Sequence, residues 1–142
     1  MDKLDFDAFV LSNDTLRVYA GDSLVFHSKK NGLLALLEYI TGFGNSFGQV
    51  SVLDKVAGNA AALLSIKAGC SFVQSPLASQ LAVRTLEKYG IGYNITTVVP
   101  YIQKAGSLDM CPIERLSIEK QPEEFYLLLT DKFSLKTCDQ TV

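Results

Sequence analysis

The chain predicts an α/β fold, three layers of α/β/α around a mixed sheet of about five strands, and three observations carry that prediction. From residue 50 to residue 99, strand-like and helix-like stretches alternate with only a few residues between them, which demands parallel strands joined by right-handed crossovers. Residues 15–20 and 23–28 alternate apolar and polar side chains and meet at Gly21-Asp22, the pattern of an antiparallel hairpin. The 142 residues are 48% hydrophobic and 20% charged, the balance of one ordinary globular domain that closes a core without metals or disulfides.

In order, Phe6, Phe9 and Val10 share one face of a short first helix. The hairpin follows and carries His27, the single histidine, as a half-exposed strand residue. Asn31-Gly32 opens a second helix whose Leu33, Leu36, Leu37 and Ile40 form a stripe, with Gly42 as its terminator. Residues 50–53 are a buried strand, and residues 58–68 an Ala-rich helix. Residues 70–74 form the next strand, after which Ser75 caps a helix over 77–89 with Pro76 in its first turn and Gly90 at its end. The β-branched run 94–99 is the last strand. Beyond Pro100 lies a polar loop that Gly106-Ser107 makes mobile, then a short helix opened by Cys111-Pro112-Ile113-Glu114 and a last one opened by Gln121-Pro122. The last helix carries the stripe Phe125, Leu128, Leu129 and Phe133, and a tail after about residue 135 is expected to fray.

This order places the ends of three parallel strands, and the starts of the helices that follow them, on one edge of the sheet, where ligands bind in open α/β folds. Asp54, Lys55, Gly58, Asn59, Ser75 and Ser79 belong to that edge. If the loop after Pro100 returns over it, Cys111 and Glu114 join them. Gly58 and the alanines after it admit close backbone approach, either for packing or for a ligand. Asp54 is read in two ways, as a cap for the central helix or as a functional carboxylate, with Lys55 offsetting the acids.

Several classes are excluded. A net charge of −2 without clustered Lys or Arg gives no nucleic-acid footprint. Cys70, Cys111 and Cys138 are odd in number and unpaired in spacing, so no disulfide framework is expected: Cys70 is read as a core residue and Cys138 as a tail residue. The start, Met1-Asp2-Lys3-Leu4-Asp5, lacks the apolar core of a signal peptide, and no apolar run reaches the ~18 residues of a membrane span. A cytoplasmic location with reduced thiols is expected, and a homo-oligomer is compatible with the sequence.

The motifs Asp54-Lys55-Val56-x-Gly58-x-Ala60-Ala61-Ala62-Leu63-Leu64, the Gly90-Ile91 helix end, Val99-Pro100 and Cys111-Pro112-x-Glu114 resemble a prokaryotic family of domains of unknown function. The resemblance covers roughly residues 15–133 and implies a cytidine-deaminase-like fold, but no established activity. Working deaminases place His-x-Glu or Cys-x-Glu at the start of one helix and Pro-Cys-x-x-Cys at the start of the next. Here those places read Ala57-Gly58-Asn59-Ala60 and Pro76-Leu77-Ala78-Ser79-Gln80, so no zinc and no other cofactor is expected.

Two readings of Cys111 and Glu114 stand side by side. Glu114 is three residues after Cys111, the spacing at which it closes a capping box on the cap residue's N–H. The same residues also suit chemistry, with Cys111 as a thiolate nucleophile at a helix start and Glu114 or Asp54 as acid or base. Functionally, the first class is a zinc-free domain that binds a small polar or nucleotide-like ligand, or a protein partner, through Lys55, Gly58, Asn59, Ser75 and Ser79. The second is an enzyme built on Cys111, Glu114 and Asp54.

Overall fold

The computed structural model describes residues 3–104 and 106–141, with side chains over 5–104 and 106–131. The elements run α1 (Lys3–Leu11), β1 (Leu16–Ala20), β2 (Ser23–Ser28), α2 (Gly32–Phe43), β3 (Val50–Asp54), α3 (Asn59–Lys67), β4 (Cys70–Ser79), α4 (Gln80–Lys88), β5 (Gly92–Val99), α5 (Pro112–Ser117) and α6 (Pro122–Thr141). One five-stranded mixed sheet has the order β2-β1-β3-β4-β5. The hairpin pairs antiparallel with a turn at Gly21, and β1 lies antiparallel to β3 with Leu16 opposite Asp54. The pairs β3–β4 and β4–β5 are parallel, as short strand–helix–strand connections require.

Alternation along β3 divides the core. Val50 and Val52 enter the large apolar cluster with Leu36, Leu63, Leu64, Leu86, Phe125 and Leu129. Leu53, one residue on and therefore facing the other way, packs with Tyr19 and with Phe9 and Phe6 of α1. No helix among the described residues is long and apolar enough to cross a membrane.

Three sequence expectations shift. Helix α2 ends at Gly44, whose φ of 53° suits glycine, and not at Gly42. Strand β4 continues five residues past Gln74, and α4 is capped by Ser79, not Ser75. Tertiary pairing overrides the local Ser-Pro signal here. The Leu77 carbonyl and Ser79 N–H both bond Ala57, while Leu77 and Ser79 stand opposite Thr97 and Val99 of β5. The expected helix end at Tyr89 moves back to Lys88, and Tyr89 stays at the surface with the Lys88 ammonium over its ring at 5.6 Å. In α6, Phe125 and Leu129 are buried as expected. The side chains of Phe133, Cys138 and the tail lie outside the described residues.

After β5 the chain turns back as a small hairpin, with Gln103 bridged to Met110 and the Tyr101 hydroxyl donating to the Leu108 carbonyl at 2.8 Å. This return delivers Cys111 and α5 to the ends of β3 and β4.

Candidate functional site

Glu114 ties four segments together. Its carboxylate, 2% exposed, accepts the Asn59 N–H at 2.7 Å and the Ser79 hydroxyl at 2.7 Å on Oε1, and the Ile102 N–H on Oε2. The capping box expected from its spacing does not form: the Cys111 N–H donates instead to the Ile102 carbonyl at 2.8 Å. Glu114 thus caps α3 from a distance, since Gly58 at the N-cap has no side chain to do so. An internal anion sits where the dipole of α3 favours one.

That placement explains Gly58, whose φ of −79° any residue adopts. A Cβ there would lie 3.0 Å from Ile102 Cγ1 and 3.1 Å from Glu114 Oε1. Gly58→Val is therefore expected to lose the ~1–3 kcal/mol of stability typical of overpacking, or more, and to unfold at a lower urea midpoint than Lys55→Ala. Equal midpoints would mean that the start of α3 has slack.

Beside this junction is a cavity of about 370 Å³. Its walls come from the end of β3 (Asp54, Lys55, Val56), the starts of α2 and α3 (Asn31 to Leu33, Gly58, Ala60, Ala61), and the returning segment (Ile102, Cys111, Ile113, Glu114), with Thr15 completing it. The structure therefore brings Asp54, Cys111 and Glu114 to one cavity, together with Lys55 and Gly58.

Asp54 is the unusual group in it. The carboxyl is 2% exposed, and its one bond among the described residues is a long one from the Val56 N–H to Oδ1, at 3.3 Å. It does not cap the central helix. Gly32 packs beside it, and a Cβ there would stand in ordinary van der Waals contact with Oδ1, at 3.5 Å. Burial pushes the carboxyl up to about 7, with only the Val56 N–H pulling the other way.

Lys55 does not offset the acids as expected. Its ammonium donates to the Ser12 carbonyl at 2.6 Å and lies 5.0 Å over the ring of Phe9, so it anchors α1 instead.

Asn59, Ser75 and Ser79 do not line the cavity. The Asn59 amide donates to the Ser117 carbonyl at 3.1 Å and hydroxyl at 3.0 Å, and its carbonyl accepts the Thr85 hydroxyl. The Ser75 hydroxyl turns onto the backbone of Leu77 at 2.8 Å. Ser79 caps α4 by accepting the Ala82 N–H at 3.1 Å while donating to Glu114. Thr15, Asn31 and Ile102 are lining residues that the sequence reading missed. Thr15 follows from the antiparallel pairing of β1 with β3, which sets Leu16 opposite Asp54 and hence Thr15 beside the end of β3.

Cys111 is half-buried at the start of α5, while Cys70 is buried in the core, where desolvation pushes its thiol up to about 12. Among the described residues, no three His, Cys, Asp or Glu side chains gather as metal ligands.

No curated protein matches the chain. It is similar to the crystal structure of a DUF1893 family protein (TM1506) from Thermotoga maritima, with a TM-score of 0.81 and 25% identity over 93% of this chain and 92% of that one. The family profile described as a domain of unknown function, DUF1893, matches residues 9–133, and the chain belongs to that family.

Proposed function

We propose that this is a zinc-free domain of cytidine-deaminase-like fold, with a three-layer α/β/α arrangement, that binds a small polar ligand in the cavity floored by Asp54. The carrying observation is the state of that carboxyl: 2% exposed, held by one long hydrogen bond, and part of the cavity's lining. Burying an acid without a partner costs stability, and such costs concentrate where a site uses the group. A concave cavity of about 370 Å³ is in the range that holds small molecules, which favours such a ligand over a protein partner. The order β2-β1-β3-β4-β5, with a parallel β3–β4–β5 half, supports the fold reading.

The residues present do not fit a catalytic zinc. The helix starts offer Gly58 and Asn59 on one side and Ser79 and Gln80 on the other, and both oxygens of Glu114 already accept N–H or O–H donors. Elemental analysis is expected to give far less than about one zinc per chain. About one equivalent surviving mild chelation would contradict this.

The ligand reading is tested by thermal melts of native protein and Asp54→Asn against a set of small polar compounds. Compounds that raise the native melting temperature but leave the variant unmoved support it. A set in which every active compound shifts both proteins alike overturns it.

One observation favours an enzymatic use of the same cavity. A carboxyl at about 7 is poised for general acid–base work, and the Cys111 thiol shares its walls. Glu114, with both oxygens engaged, suits that role less than Asp54. In a Cys138→Ser background, where buried Cys70 is shielded, alkylation of Cys111 that rises with a titration near neutrality and loses it in Asp54→Asn supports the enzyme. A pH profile unchanged by Asp54→Asn argues for the binder.

A further inference from the structure

The cavity's charge pattern identifies the chemistry of its ligand. We propose that the Asp54 cavity selects a flat ligand carrying a paired N–H donor edge on a delocalised cation, of the amidine or guanidine class, and rejects phosphates and carboxylates. This rests on the reading of the cavity as a ligand site and deepens it.

Three features point the same way. Asp54 is part of the cavity lining, its Oδ2 has no partner among the described residues and its Oδ1 holds only the 3.3 Å bond, so most of the carboxylate's acceptor capacity is unspent. Carboxylates bind planar forks through two parallel N–H···O bonds, which a single ammonium cannot match.

Anions have little to bind. The Lys55 ammonium is held at 2.6 Å by the Ser12 carbonyl, and the α3 N-terminus already has the Glu114 carboxylate on the Asn59 N–H. A phosphate entering the cavity would meet two carboxylates and no free ammonium. A nucleotide-like ligand held through its phosphates is disfavoured on the same grounds.

The remaining walls are apolar. Leu33, Val56, Ile102 and Ile113 line the same cavity, so they suit the flat body of an aromatic or heterocyclic ligand, and a delocalised cation is desolvated more readily than an ammonium.

The ionisable side chains facing the cavity are Glu114 from α5, Cys111 at its N-cap, and Lys55 after β3, with Thr15 and Asn31 neutral. Both oxygens of Glu114 already accept donors, and burial holds the Asp54 carboxyl up to about 7, so the ionisation of Asp54 gates the bound form. Binding of a fixed cation should then strengthen from about pH 5 to about pH 7 and level off above it.

Isothermal titration of the full-length protein with benzamidine, its neutral analogue benzamide and inorganic phosphate tests the proposal. Benzamidine is expected to bind at least about tenfold more tightly than benzamide, to lose about tenfold or more in Asp54→Asn, and to show the stated pH profile, with phosphate silent. Circular dichroism establishes that the variant is folded. If benzamide matches benzamidine, or phosphate competes with it, the donor-edge selection is overturned while the cavity stands as a ligand site. Benzamidine binding unaltered by Asp54→Asn, or no binding by any of the three, also overturns the selection. The compound-set melts above separately decide the fate of the ligand site.

Discussion

Replacing Glu114 with alanine is expected to lower the unfolding free energy by about 3–5 kcal/mol, since each donor left without an acceptor costs about 1–3 kcal/mol. The change leaves the Asn59 N–H, the Ser79 hydroxyl and the Ile102 N–H without their acceptor, and takes the anion away from the start of α3. Glu114→Gln, which keeps the shape and one carbonyl acceptor, should fall between alanine and native. Urea unfolding measures both. A loss under about 1 kcal/mol for alanine would mean that water replaces the carboxylate without penalty, and that the loop after β5 is not fixed through Glu114.

Asp54→Asn should do the opposite and stabilise the protein, in a way that depends on pH. In the unfolded chain Asp54 releases its proton near 3.8, whereas in the folded protein burial delays release until about 7. Between these values the folded state holds more protons, so native stability falls as pH rises from about 4 to about 7 and is flat beyond. Asparagine removes that dependence. The variant should match native protein near about pH 4 and exceed it near about pH 8 by an amount on the order of 4 kcal/mol. A variant equal to or less stable than native at both values would show that the carboxylate is satisfied in the fold. A stabilising change that also removes ligand binding is the trade-off expected of a functional acid.

The parts of this fold set by local pattern were legible in the sequence, and those set by a distant partner were not. Gly21-Asp22 fixes its hairpin by turn chemistry, and β3, α3 and β5 follow from apolar runs, Ala content and β-branching. Parallel crossovers then require Asp54 to stand at the sheet edge that the returning chain covers. By contrast, Cys111 and Glu114 have capping-box spacing whichever way the carboxylate turns. What decides is the Ile102 carbonyl, which takes the Cys111 N–H and leaves Glu114 to reach α3 and α4. Ser75-Pro76 reads locally as a helix start, yet Ala57 and β5 hold the segment extended. Lys55 sits beside an acid in sequence, but Ser12 and Phe9, more than forty residues earlier, capture its ammonium. In each case the competing partner lies beyond the three or four residues over which local spacing carries information.

The state of the Asp54 carboxyl is the claim on which the ligand site stands, and it can be observed directly. Carbon-13 NMR of the aspartate side-chain carboxyls, with Asp54→Asn to assign the resonance, follows its titration from about pH 4 to about pH 9 in the absence of ligand. A midpoint at about 7 is the predicted result. A midpoint close to the ordinary 3.8 would place Asp54 in water or against a cation, and would contradict a cavity built around a buried acid held by one long hydrogen bond.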